Sequence, residues 1–181
     1  MKLLEKTLEQ NYIYRGKIIS VHLDRAELAD GRVVTRECVD HPGGVSIAVL
    51  TETNEMLFVR QYRYPYHEAV LEAPAGKLEP GEDPFEAAKR EQREETGTTG
   101  KDYLSLGTVY PSPGYAAEVL HLYACRVASR GALHLDPGEF LQVEKIPLSR
   151  AAALVEQGEI PDAKTQILVL RAEKLVAGGK L

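Results

Sequence analysis

The chain has only two cysteines in 181 residues, Cys38 and Cys125, and neither belongs to a CxxC pair or stands at metal-ligand spacing from a histidine. That scarcity excludes a disulfide framework, and both read as reduced thiols. No apolar run is long enough to cross a bilayer and no signal-peptide pattern opens the sequence, so a soluble cytoplasmic protein is expected. Lys and Arg form no long runs and the formal net charge is −5 at pH 7, which argues against a nucleic-acid binder. Internal repeats, low-complexity tracts and linkers are also missing. What remains, with 44% hydrophobic residues, is one globular domain over 1–181, long enough to bury a core.

Much of the acidity sits in one place. Between Gly76 and Thr98 the sequence reads GKLEPGEDPFEAAKREQREETGT. Asp83 is a good N-cap, Pro84 suits the first helical position, and Glu86 stands where a capping box wants it. Gly97 supplies a left-handed stop. These signals predict a helix between them, with Phe85, Ala88 and Gln92 facing inward and a Glu86–Arg90 pair outside. Glu91, Glu94 and Glu95 then share one flank in the last turn, where exposed carbonyls already make the helix end negative. Such crowding costs a few tenths of a kcal/mol per contact, roughly. Salt bridges to Lys89, Arg90 and Arg93 are one resolution. A bound Mg²⁺ or Mn²⁺ is another, since hard oxygen ligands suit these ions.

The order of residues is G-x(5)-E-x(7)-R-E-U-x-E-E-x-G-U, where U is a bulky aliphatic residue. Gly76, Glu82, Arg90, Glu91, Glu94, Glu95 and Gly97 all stand at the required spacing. The chain therefore resembles the Nudix hydrolases, which cleave a nucleoside diphosphate linked to another moiety X. Gln92 and Thr98 depart from the pattern by replacing aliphatic residues. Both are packing positions, and an inward Gln92 must find partners or cost about 1–3 kcal/mol.

Alternation from Glu9 to Leu28 suggests two strands turning near Arg15-Gly16, and Asp30-Gly31 leads into a strand over 33–39. Strands over 45–50, 56–62 and 69–74 precede the helix. Others follow near 104–110, 119–127 and 140–146. Ser149 is the expected cap of a helix to about Gln157, and a last helix runs from about Asp162 to Leu175. This order indicates an α+β fold with mixed sheets. The Nudix α/β/α sandwich fits it, with an N-terminal antiparallel strand region over about 1–40 and a catalytic core over 41–181.

Tyr62-Arg63 in VRQYRYP, LEAPAGKLE, SPGY and GEIPDAKTQI together resemble the ADP-ribose pyrophosphatase branch of that family. The resemblance runs from about Tyr14 to Leu170. It implies Arg36, Glu37, Arg63, Ile18 and Pro113 as substrate-binding residues, the arginines because guanidinium groups bind phosphate bidentately and stack on bases. Tyr12 and Tyr14 rank behind them as stacking partners. Implied metal ligands are Glu91, Glu95 and the Ala75 carbonyl, with Glu82 and Glu94 as further ligands or support. Arg90 would orient the glutamates.

The general base stays open among three residues. Related enzymes take a glutamate from an acidic loop resembling LDEDEF, where this chain reads LDPGEF, so Glu139 matches and Pro137 replaces the other acid. Glu118 in SPGYAAE and Glu94 are the alternatives. The resemblance implies Mg²⁺-dependent hydrolysis of ADP-ribose to AMP and ribose 5-phosphate by a homodimer whose N-terminal strands cross to the partner. Two other readings stand beside it: a nucleotide-sugar pyrophosphatase, for example on GDP-mannose, and a non-catalytic ADP-ribose sensor.

Overall fold

Among the described residues (3–135, 138 and 140–181), the computed structural model runs β1 (Lys6–Arg15), β2 (Ser20–Glu27), β3 (Val33–Asp40), β4 (Gly44–Leu50), β5 (Glu55–Arg63), β6 (Glu68–Glu72), β7 (Ala75–Lys77), α1 (Pro84–Thr96), β8 (Thr98–Val109), β9 (Leu120–Arg130), β10 (Leu141–Pro147), α2 (Leu148–Glu156) and α3 (Ala163–Ala177). No helix among them is long and apolar enough to cross a membrane. The chain divides into two compact units.

The first unit comprises the residues up to Gly43 together with Tyr110–Val119. It is a three-stranded antiparallel sheet in the order β1-β2-β3. Segment 110–119 is stitched to β3 through Val39 N–H to the Tyr115 carbonyl (2.8 Å) and Ala117 N–H to the Val39 carbonyl (2.9 Å).

The second unit comprises Gly44–Val109 and Leu120–Leu181. Its centre is β4, buried at every position as a strand covered on both faces must be. Val45, Ile47 and Val49 point to one side, into a core with Leu57, Ala87, Ala88 and Cys125 under α1. Ala48 and Leu50 point to the other, with Phe58, Leu122, Leu148 and Leu168 under α2 and α3. Period-two alternation on one strand thus builds both cores of an α/β/α sandwich. The sheet is mixed, in the order β10-β5-β4-β9-β8: β4 runs parallel to β9 and antiparallel to β5. β6 pairs with the later half of β5, and β7 with the start of β4.

The α+β fold expected from the sequence is the one found, with local corrections. Helix α2 starts at Leu148 behind Pro147, with no side-chain cap, so Ser149 lies inside the first turn. Strand β8 begins directly after the helix stop rather than near Leu104. Its register shifts at Thr99/Gly100 and Lys101/Leu104 interrupt the alternation by which a strand is recognised.

Gln92 is fully buried, and both polar atoms of its side-chain amide have partners. Its amide donates to Thr98 Oγ1 (3.1 Å), and its carbonyl oxygen accepts from the Tyr103 hydroxyl (2.8 Å). The two departures from the aliphatic pattern are therefore bonded to each other. Gln92→Leu is expected to lose about 1–3 kcal/mol, because Tyr103 and Thr98 keep buried polar groups without this partner. Adding Thr98→Val should cost less than it does in the parent. A denaturant double-mutant cycle showing strict additivity would refute this coupling.

Candidate active site

Helix α1 begins as its sequence demands. The Asp83 carboxylate accepts from the N–H groups of Phe85 (2.9 Å) and Glu86 (3.1 Å). The helix ends at Gly97 with φ 64°, a conformation that costs glycine least. Between these caps, Arg90 turns to the acidic flank. Its Nε and Nη2 donate to the two Glu82 oxygens (2.8 and 3.0 Å), and Nη1 donates to Glu91 Oε1 (2.7 Å) and Glu94 Oε2 (2.9 Å). Nη2 also reaches the Lys77 carbonyl at 3.2 Å. The expected Glu86–Arg90 pair does not form: Glu86 takes Lys89 instead (2.6 Å), since three carboxylates across the flank hold Arg90. The Glu82 contact, more than any other, raises the Arg90 pKa, and the same contact lowers that of Glu82.

The other two carboxylate contacts are with the main chain. Glu95, almost wholly buried, accepts from the Ala75 N–H at 2.8 Å. Glu91 lies so close to Gly76 that a methyl group there would overlap its carboxylate. This is the physical reason for the glycine. Strand β7 is held in place by pairing Ser46 with Ala75 and Val45 with Gly76. Glu82, Glu91, Glu94 and Glu95 therefore gather around Arg90 and the Ala75–Gly76 backbone. One guanidinium shared by three carboxylates leaves the cluster rich in negative charge and hard oxygen donors, which suits a divalent cation of the magnesium type.

Behind this strand stands a support that sequence reasoning did not resolve. Glu72, buried, pairs with Arg63 through both oxygens (2.5 and 2.9 Å) and with Lys164. Burial acts to raise the Glu72 pKa, but the Arg63 and Lys164 contacts outweigh it and the net shift is downward. Asp162 caps α3 by accepting from the Thr165 N–H (2.9 Å), and Thr165 Oγ1 accepts from the Ala73 N–H (2.7 Å). The LEAPAG and DAKT segments are thus two halves of one clamp beside the Ala75–Gly76 strand.

The residues that follow β9 are tied to the end of α1. Gly131 N–H donates to the Gly97 carbonyl (2.6 Å), and His134 N–H to that of Glu94 (3.1 Å). Glu139 and Pro137 themselves lie outside the described residues. A cleft of about 400 Å³ is lined by Arg60, Ala69, Leu135, Phe140, Leu141 and Gln142, with no box carboxylate in its wall.

The remaining candidates belong to the first unit. Arg36 pairs with Glu5 through two hydrogen bonds (2.9 and 2.8 Å), Glu37 is exposed opposite Leu23, and Ile18 and Pro113 are exposed. Tyr12 donates to Asp40 (2.8 Å) under the Arg15 guanidinium, while Tyr14 is largely exposed. Glu118 Oε1 lies 3.7 Å from His41 Nδ1, which itself accepts from the Gly43 N–H.

Comparison with known proteins gives this arrangement its place. Residues 40–167 match the NUDIX domain family, and residues 5–39 match the family described as the nucleoside diphosphate sugar hydrolase N-terminal domain. The chain belongs to the Nudix family. An ADP-ribose pyrophosphatase of Bacillus subtilis (strain 168) is 39% identical over 163 residues, covering 89% of this chain and 88% of its own. A methanol dehydrogenase activator of Bacillus methanolicus is 38% identical over 167 residues, covering 91% and 90%. A solved structure described as an ADP compounds hydrolase superposes with a TM-score of 0.85 over the whole of both chains, at 22% identity, and so shares the fold. The protein is a Nudix hydrolase, and divalent metals are the usual cofactors of Nudix enzymes. The box carboxylates offer the hard oxygen donors that such ions take.

Proposed function

We propose that this Nudix hydrolase cleaves the diphosphate of ADP-ribose, giving AMP and ribose 5-phosphate, with Mg²⁺ as its cofactor. The observation that carries the reading is the convergence of Glu91 and Glu95 on the Ala75–Gly76 backbone, in a chain similar to an ADP-ribose pyrophosphatase over most of its length. Glu91, Glu95 and the Ala75 carbonyl would hold the cation, with Glu82 and Glu94 as further donors and Arg90 setting their positions. A bound divalent ion neutralises the diphosphate and lowers the pKa of water.

The rest falls to side chains. Water adds to one phosphorus, the bond from that phosphorus to the bridging oxygen breaks, and the proton of the water goes to a general base. Glu139 is the proposed base; upstream of it, Gly131 and His134 bond the Gly97 and Glu94 carbonyls at the end of α1. Arg36 and Arg63 are proposed to bind the substrate. The Arg36–Glu5 pair is exposed and screened by solvent, so a phosphate exchanges readily for Glu5. Arg63 is held more firmly by the buried Glu72, which fixes its direction. The reading includes a homodimer, since Leu8, Ile13 and Ile18 leave apolar surface that a second copy would cover.

The test is AMP release from ADP-ribose with Mg²⁺, beside a panel of nucleotide sugars. Faster hydrolysis of GDP-mannose than of ADP-ribose would replace the proposed substrate. Glu139→Gln should lower kcat by about 10²–10⁴ with little change in KM, the usual worth of a placed base. A damaging Glu118→Gln beside a silent Glu139→Gln would move the base to the SPGYAAE segment.

A further inference from the structure

Strand β2 is patterned the wrong way round for a simple sheet. Its buried positions carry His22, Asp24 and Ala26, while Leu23 is turned outward. Burying an imidazole and a carboxylate where aliphatic side chains would serve is costly unless something compensates it. Three strands contribute to the same face. Cys38 of β3 stands directly opposite His22, Tyr12 of β1 faces His22 from the other side, and Gln10 faces Asp24.

Among the described residues, His22, Asp24 and Cys38 form the group of His, Cys, Asp and Glu side chains whose ligand atoms all lie within 4.8 Å of one another. His22 Nδ1 is 2.7 Å from Asp24 Oδ1 and 3.3 Å from Gln10 Nε2. On the far side of the ring, Nε2 is 3.4 Å from Asp40 Oδ1, and Asp40 Oδ2 accepts from the Tyr12 hydroxyl at 2.8 Å. A metal-bound histidine characteristically gives its other N–H to a carboxylate that is itself held, and Asp40 with Tyr12 supplies that outer support.

We infer that the N-terminal sheet is a second metal site, in which His22 Nδ1, Asp24 and Cys38 Sγ bind a borderline divalent cation of the zinc type. A donor set of one nitrogen, one carboxylate oxygen and one thiolate selects zinc or cobalt over magnesium, which takes oxygen alone. The site is therefore chemically distinct from the box carboxylates, and it ties β2 to β3. Burial first, and then the Asp24 and Asp40 charges, push the Cys38 thiol up. A cation bound between them removes that penalty, and its binding releases the thiol proton.

The experiment strips the full-length protein of metal and titrates it with Co²⁺ in excess Mg²⁺. A thiolate-to-cobalt charge-transfer band in the near ultraviolet is expected, saturating near a single equivalent and abolished by Zn²⁺. Cys38→Ser should lose the band. Cys125→Ala should keep it, because Cys125 is fully buried against Gln92 and burial pushes its thiol up to about 12. No band in the parent protein, or a band surviving in Cys38→Ser, overturns the proposal. A second readout needs no variant: Zn²⁺ should protect Cys38 of the parent from alkylation, located by peptide mass. Unprotected Cys38 at saturating Zn²⁺ also overturns it.

Discussion

Gly76→Ala is expected to abolish most activity while leaving a folded protein. The added methyl overlaps the Glu91 carboxylate, so either Glu91 swings away or β7 shifts against β4. Both outcomes misplace a proposed metal ligand, and a shift of about 1 Å at such a group costs on the order of 10² in rate. Overpacking of this kind also destabilises by roughly 1–3 kcal/mol. The assignment makes a sharper demand on stability than on rate. In a Glu91→Ala background the overlap is gone, so the added cost of Gly76→Ala should largely vanish. Equal costs in the two backgrounds, measured by urea unfolding, would show that Gly76 is required for some reason other than Glu91.

The division between what was legible and what was not follows the range of the interactions. Helix α1 was readable residue by residue, because Asp83, Pro84 and Gly97 act on the backbone within one turn of themselves. The flank shared by Glu91, Glu94 and Glu95 was equally local. The direction taken by Arg90 was not, since Glu86 and Glu94 are equivalent neighbours by spacing. Only the return of the 78–83 segment, which brings Glu82 alongside, decides between them.

Longer-range features were visible only as unexplained residue choices. Gln92 and Thr98 read as two separate departures from the aliphatic pattern and are one hydrogen-bonded pair. LEAPAG and DAKT stand out in the sequence only as segments, and the Glu72–Lys164 and Ala73–Thr165 contacts that give them meaning join β6 and its following residues to α3. Cys38 showed no metal-type spacing to any histidine. Strand pairing sets it opposite His22, a relation that linear spacing does not encode. In each case the residue type carried information, and its partner came from tertiary structure.

Replacing Arg90 with Met should reverse the sign of a neighbouring substitution. In the parent, Arg90 bonds Glu82, Glu91 and Glu94, all more than half buried. Met keeps much of the packing and removes the charge, leaving these carboxylates to repel one another beside the negative helix end. The loss falls between that of an exposed pair, up to about 1 kcal/mol, and that of a broken buried pair, about 3–5 kcal/mol. For a chain of this size about 2 kcal/mol corresponds to a fall in Tm of roughly 4–8 °C. Glu94→Gln should then lower Tm in the parent, where it removes a partner of Arg90, and raise it in Arg90→Met, where it relieves repulsion. Mg²⁺ should stabilise Arg90→Met more than it stabilises the parent, since the ion is then the main positive charge at the flank. Thermal melts of the four proteins with EDTA and with Mg²⁺ measure all three effects. If Glu94→Gln shifts Tm the same way in both backgrounds, Arg90 is not the residue that holds the box carboxylates together.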